Sequence, residues 1–364
     1  MRKWGSLFLL SALLTIPLTS CETGPTATSG NQTASPQAGG TASPTATKAS
    51  RLETIKSRGK LICGVDGKIP GFSFVDQTGK YSGLDVDVCR AVAAAIFDDP
   101  NAVEFRNLDS TERFTALNSG EVDVLSRNTT WTISRDTSGG MEFAPTTFFD
   151  GQGVLVRVDS GIQTMADLAG KTICVEAGTT TELNVTDVLR QQNIQAQVLT
   201  FKEADPAYAA YAEGRCDAIT SDRSQLVGRR STLPDADQHT LLEEVLSKEP
   251  LGPVTVNNDS AWYDTVKWVT FALIEAEEQG ITQANVEQKK TDVNPTTKRF
   301  LGTESDLGKG IGLTNDFAAR AIKHVGNYQE VYDRNLGEQS PFKLPRGQNN
   351  LWNKGGLMYS PPFR

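Results

Sequence analysis

The sequence predicts an α/β protein of two lobes, each a mostly parallel sheet flanked by helices. Two observations carry this. Short Val/Ile/Leu-rich runs alternate with longer segments whose apolar residues recur at helical spacing, the pattern of parallel strands covered on both faces. That alternation runs once, is interrupted, and begins again after Asp167-Leu168-Ala169-Gly170. At 364 residues, 38% hydrophobic and 22% charged, the chain is long enough for two such lobes.

In the first round, residues 60–65 (KLICGV) read as a strand ending in the polar, glycine-bearing loop 66–71. Residues 84–97 read as a helix, with Leu84, Val88, Val92 and Ile96 on one face, and Val103–Phe105 as the next strand. Asp109 caps a second helix with Glu112 three residues on, Phe114 and Leu117 supply its apolar face, and Gly120 ends it. In the second round, strand Lys171–Glu176 runs into Ala177-Gly178-Thr179-Thr180-Thr181. A helix follows with Leu183, Val188 and Leu189 as its apolar residues. Strand Gln197–Phe201, helix Ala204–Glu213 and strand Cys216–Thr220 complete the round, leading into Ser221-Asp222-Arg223-Ser224. A helix over 260–279 then sets Trp262, Val266, Val269 and Leu273 on one face, and some eighty residues remain beyond it.

Residues 121–136, EVDVLSRNTTWTISRD, join a buried strand (Val122, Val124, Leu125) to an almost unbroken polar run. A polar run leaving a buried strand is where an α/β fold places a ligand site. Hydroxyls and amides there can bond a small solute, and Arg135 offers a planar fork of donors to a carboxylate. The alternative is a solvated loop whose arginines pair with Asp136 and Glu142. A Gly-Thr run opening a helix, as at 178–181, presents free N–H groups and the positive dipole end to an anion. One of its threonines serving as a plain helix cap is compatible with that role.

The ends carry a different message. Arg2 and Lys3, the apolar stretch Leu7–Leu18 and the run Leu18-Thr19-Ser20-Cys21 form an export signal. The last four residues resemble a bacterial lipobox, which would make Cys21 the lipidated residue and the new N-terminus; an ordinary cleaved signal with an incidental cysteine is the alternative. Residues 22–50 are nearly all small and polar and read as a flexible tether of about 30 Å reach. No later run approaches about 18 apolar residues, so the body has no spanning helix. The net charge of −8 argues against nucleic acid or an anionic membrane surface as partner. Past Cys21 there remain Cys63, Cys89, Cys174 and Cys216. In an oxidising compartment an even number suggests two disulfides. Of three pairings, chain order favours Cys63–Cys89 with Cys174–Cys216. Four buried free thiols are the alternative, and the spacings fit no zinc pattern.

These motifs resemble a known family, the periplasmic substrate-binding proteins of ABC transporters for polar amino acids, in its general L-amino-acid branch. The resemblance covers roughly residues 52–345. It rests on Leu61-Ile-Cys-Gly-Val, Gly71-Phe-Ser-Phe, Gly83-Leu-Asp-Val-Asp, Arg113-Phe-Thr-Ala-Leu-Asn-Ser-Gly-Glu-Val-Asp and Ser126-Arg-Asn-Thr-Thr-Trp-Thr, with Gly178-Thr-Thr-Thr-Glu-Leu-Asn and Gly214-Arg-Cys-Asp-Ala further on. It implies a periplasmic binding protein type II fold. Lobe 1 would be residues 51–152 and 253–364 and lobe 2 residues 153–252, joined by two hinge strands near 151–153 and 250–253. The ligand would be trapped as the lobes close.

By the same resemblance Arg135 grips the ligand carboxylate, while Asn128 and Thr130 bond the same head group. Thr179, Thr180 and Thr181 meet it from lobe 2, and Asp222 receives the ammonium, unless it pairs with Arg223 or Arg215. Asp66 and Phe72 match positions that touch the ligand side chain. Arg127 and Trp131 flank the site. The residues after the 260–279 helix, with Trp352 and Gln348-Asn-Asn, read as extra packing on lobe 1 or across the hinge. The expected protein is a non-catalytic periplasmic binder of L-amino acids, monomeric, without cofactor or metal, and tied to the membrane only by its lipid. It would work with ABC permease subunits. An enzyme on the same fold, dehydratase-like and acting on a small carboxylated substrate, is the alternative reading.

Overall fold

The first round folds much as its periodicity predicts. In a computed structural model, which describes residues 50–364, it supplies α1 (Arg51–Arg58), β1 (Leu61–Val65), β2 (Lys68–Ile69), β3 (Ser73–Val75), β4 (Tyr81–Ser82), α2 (Leu84–Phe97), β5 (Val103–Asn107), α3 (Arg113–Ser119), β6 (Val124–Leu125), α4 (Ile133–Ser138) and β7 (Met141–Phe143). The export signal, Cys21 and the tether through residue 49 lie outside the described residues. The capping box before α3 forms as read: Asp109 accepts the Glu112 N–H, and the Glu112 carboxylate accepts that of Asp109.

A first crossing, β8 (Phe148–Asp150), leads to the second round. This comprises β9 (Gln152–Arg157), β10 (Thr172–Glu176), α5 (Thr180–Gln191), β11 (Gln197–Phe201), α6 (Ala204–Ala212), β12 (Ala218–Asp222), α7 (Arg223–Arg230) and β13 (His239–Leu241). The return crossing is β14 (Glu249–Leu251), which pairs antiparallel with β8 as a two-stranded ribbon. Then follow β15 (Val254–Val256), α8 (Ser260–Glu278) and five short helices: α9 (Val286–Lys289), α10 (Pro295–Phe300), α11 (Leu307–Gly310), α12 (Phe317–Val325) and α13 (Tyr328–Asn335).

The sheets are ordered β5-β1-β6-β15-β7 and β11-β10-β12-β9-β13, with a small β2-β3-β4 sheet beside the first. Each five-stranded sheet has a parallel core of three strands, as expected, but a fourth strand, β15 or β9, runs against them and pairs antiparallel on both its edges. The cause is the crossings: β9 and β15 leave the ribbon and run back along their sheets. Both disulfides form as chain order favoured, Cys63–Cys89 joining β1 to α2 and Cys174–Cys216 joining β10 to the approach to β12.

The larger core gathers α2, α8 and α12, with Trp262 fully buried and its Nε1–H donated to the Asp123 carbonyl. Two expectations need correction. Leu183 is exposed; α5 buries Leu189 as expected, with Val188 partly covered, and adds Thr181 and Val185. The strand expected at Cys216–Thr220 starts at Ala218, because Asp217 is spent bonding the edge of β10, where its carboxylate accepts the Thr172 N–H.

Candidate functional site

The parallel strands of both lobes end at a cleft between them. Its first wall is built by the loop after β6, and Asp85 on α2 holds that loop. The Asp85 carboxylate accepts the Ser126 hydroxyl and the Asn128 N–H, fixing Asn128 in a left-handed turn at φ 47°. Burial pushes Asp85 up to about 6 despite those donors. From this perch Asn128 donates its side-chain amide across the cleft to Asp222 Oδ2 at 2.9 Å, while its own Oδ1 is buried without a partner.

The second wall comes from β10, α5 and the end of β12. Thr179 is the helix cap, accepting the Glu182 N–H, and its hydroxyl bonds the Glu176 carbonyl. Thr180 reaches out instead: its hydroxyl donates to Glu249 at 2.9 Å and meets that of Thr130 at 3.3 Å across the cleft. Thr181 is buried, and its carbonyl accepts from Gln152. Asp222 terminates β12 at 6% exposure with its Oδ1 unpartnered. Burial, then the nearby charges of Asp150 and Glu249, raise it well above the ordinary carboxylate range. Neither candidate partner neutralises it. Arg223 donates to the carbonyls of Leu242 and Glu244, and Arg215 lies over the Phe201 ring.

The other expected residues are distributed unevenly. Arg127 does not face solvent; it pairs with Asp66 at 2.5 Å and stands 3.6 Å from Glu176 in the second lobe. Asp66 therefore already has its cation, which removes the simplest reason to expect a basic ligand there. Phe72 is fully buried in the first lobe's core, its ring edge-on to Phe148, so it gives the cleft no surface. Arg135 sits one carbonyl behind the wall, donating to Thr130 O at 2.8 Å and lying 5.2 Å over the Phe114 ring.

Arg113 is the residue that the sequence reading passed over. It begins α3 at the cleft wall, is 2% exposed, and its buried Nε has no partner. Among the described residues no carboxylate forms an ion pair with it; its guanidinium lies 4.8 Å over Phe114, on which Arg135 also rests. Burial, then the charges of Arg127 and Arg135, weaken its hold on its proton. The available signal was positional: a basic residue one step past a capping box, on a helix entered from a strand's C-terminal end.

Two guanidinium groups, of Arg113 and Arg127, and the unpaired carboxylate of Asp222 thus line a cleft that is almost shut, with about 20 Å³ of free space. Ion pairs span its outer lip, Lys68 to Glu203 at 2.7 Å and Lys202 to Asp109 at 3.1 Å. Such a site suits a small solute bearing both signs of charge, admitted when the lobes part. Among the described residues no group of side chains could hold a metal ion, and no helix is long and apolar enough to cross a membrane.

Comparison with known proteins agrees with this geometry. The chain is 50% identical over 321 residues to the general L-amino acid-binding periplasmic protein AapJ of Rhizobium johnstonii, covering 88% of this chain and 94% of that one. It is 47% identical over 320 residues to the glutamate/glutamine/aspartate/asparagine-binding protein BztA of Rhodobacter capsulatus, covering 88% and 95%. A Brucella ovis ABC transporter periplasmic binding protein, solved with glutathione bound, superposes with a TM-score of 0.85 at 50% identity over 87% of this chain and all of that one. These relatives are solute binders, not enzymes. With residues 61–338 matching the model of that family, this two-lobed chain belongs to the bacterial extracellular solute-binding proteins, family 3.

Proposed function

We propose that this chain captures L-amino acids between its lobes and delivers them to the permease of an ABC importer, favouring side chains that end in an acid or amide. One observation carries the reading: on opposite walls of one closed cleft stand a buried, unpartnered carboxylate oxygen of Asp222 and the unpaired guanidinium of Arg113. A buried charge left alone is expensive, and a ligand of opposite sign relieves it. The ammonium goes to Asp222 Oδ1 and Asn128 Oδ1. The α-carboxylate goes to the first turn of α5, at Thr180 and Thr181, with Arg135 behind Thr130. Arg113 then receives the side-chain acid or amide oxygen. The names of the relatives above support this class.

Lobe 1 is taken as residues 51–152 and 253–364 and lobe 2 as 153–252, so the ligand contacts both and binds best when they close. A cavity of about 230 Å³ shares Glu176 with the cleft and lies beyond the Asp66–Arg127 pair. It favours a second reading, a ligand longer than one amino acid, which accords with the glutathione-bound relative. Lipidation of Cys21 would keep the protein at the membrane, as a monomer; incorporation of labelled palmitate that is lost in Cys21→Ala tests the anchor.

Calorimetry on purified protein, freed of carried-over ligand, tests the core of the proposal with L-glutamate, L-glutamine, L-alanine and their α-amides. Asp222→Ala should weaken every ligand by about 2 kcal/mol or more. Arg113→Ala should weaken glutamate and glutamine while leaving alanine within about twofold. Equal losses for all three would remove Arg113 from side-chain recognition. Tight binding of the α-amides would remove the carboxylate subsite.

A further inference from the structure

The C-terminal segment reaches the hinge itself, and we propose that it is a strap that fixes where the hinge bends and how readily it opens. The inference rests on reading the protein as a binder that closes around its ligand. Residues 344–350 follow α13 and lie along β8, the first crossing. Asn349 is 4% exposed, and its side-chain amide is used twice on one residue of that strand: Oδ1 accepts the Phe149 N–H at 2.7 Å, and Nδ2 donates to the Phe149 carbonyl at 3.1 Å. An amide used this way stands in for a neighbouring strand. The other edge of β8 is already taken by β14.

The neighbours of Phe149 are held from the same side. Tyr328 donates its hydroxyl to the Thr147 carbonyl at 2.7 Å, and the Phe148 ring stacks on that of Tyr332. The strap is in turn braced. Arg346 lies over the rings of Tyr328 and Tyr332, pairs with Glu277 at 3.0 Å, and donates to the Asn349 carbonyl. One residue further along β8 the attachment changes sides: Asp150 accepts the Ser224 N–H and hydroxyl at the start of α7.

The crossing therefore belongs to the first lobe through Phe149 and to the second from Asp150, with Gly151 and Gln152 also bonded to that lobe, which confines the bend to the junction of Phe149 and Asp150. Among the described residues the strap makes no hydrogen bond to residues 153–252. A space of about 540 Å³ separates the two, lined by Val227 and Val245 on one side and Leu344 and Asn349 on the other. The second lobe can thus swing while the strap stays seated. Loosening the strap frees Phe149 to bend as well, so the open state gains conformations and the closed state is left sooner.

The test uses Ser138→Cys and Gln191→Cys, exposed positions on the two lobes, to carry a pair of spin labels. In ligand-free protein Asn349→Ala should broaden the distribution of inter-lobe distances, and it should speed L-glutamate dissociation by about threefold or more. Asn349→Asp keeps the acceptor for the Phe149 N–H and loses the donor to its carbonyl, so it should fall between, and it decides the matter if the alanine variant does not fold. An unchanged distance distribution and dissociation rate, whatever happens to Tm, overturns the proposal and leaves the strap as packing alone. Absence of glutamate binding in the unmutated protein would refute the amino-acid reading, while the ligand-free distances still decide on the strap.

Discussion

Asp222 shows how a single side chain can link binding to pH. Burial, with the charges of Asp150 and Glu249 beside it, raises its pKa, so the free protein holds a proton there above the usual range. A ligand ammonium stabilises only the carboxylate. With the ammonium placed on Asp222 as proposed, binding must expel that proton, and affinity should rise with pH until Asp222 is ionised in the free protein. Calorimetry in two buffers of different ionisation enthalpy, repeated across a range of pH, should give different heats where free Asp222 is protonated and converging heats as pH rises past its ionisation. Identical heats in the two buffers at every pH would separate Asp222 from the ammonium. Asp85 and Asp150 obey the same rule in folding. Burial pushes each up to about 6, above the unfolded value of 3.8, so the native state binds more protons than the unfolded chain between those values. Stability conferred by the protonated forms is present below that window and lost as pH rises through it. Urea midpoints for the unmutated protein should fall from about pH 4 to pH 7, and Asp85→Asn should flatten part of that slope.

At the scale of elements, the turn that launches α2 decides the position of the whole first wall, since Asp85 grips the ligand loop from the second residue of that helix. Gly83 makes the turn. It adopts φ 127°, and a Cβ there would stand 2.1 Å from the Phe72 carbonyl oxygen, a backbone atom that cannot step aside. Gly83→Ala should lower stability by on the order of 3 kcal/mol in urea unfolding and weaken ligand binding with it; a loss under about 1 kcal/mol would mean the loop relaxes. Elements with strong local signals were legible. Helix 84–97 has its four apolar residues in register with 3.6 residues per turn, and it occurs with those bounds. Leu183 misled because apolar character is a one-way guide to burial: it lies on the outward side of α5. The loop 126–130 and Asp222 were legible as polar runs at strand ends. Arg113 was not, because a basic residue opening a helix looks like any surface charge until its neighbours are known. The role of Asn349 was beyond local reading altogether, since its partner Phe149 lies 200 residues away in sequence.

For the whole molecule, the question is how firmly the lobes stay together without a ligand. The lip pairs Lys68–Glu203, Lys68–Asp205 and Lys202–Asp109 join the lobes outside the proposed head-group subsites, at the rim of the adjoining cavity of about 230 Å³, and Arg229 adds a hydrogen bond to the Lys68 carbonyl. The lysines are 39% and 68% exposed, so each pair is worth at most about 1 kcal/mol and is screened by salt. Small terms still matter to a two-state hinge, because apparent affinity scales with the fraction of protein able to close. Lys68→Met with Lys202→Met should therefore weaken glutamate binding by about three- to tenfold at low salt, with no change in which amino acids are preferred. Raising the salt to about 0.5 M should weaken the unmutated protein toward the variant and leave the variant nearly unmoved, because the pairs being screened are already absent from it. If the affinity ratio between the two proteins stays constant from low to high salt, the lip pairs do not bias closure, and the contacts inside the cleft must supply the whole of the difference between open and closed states.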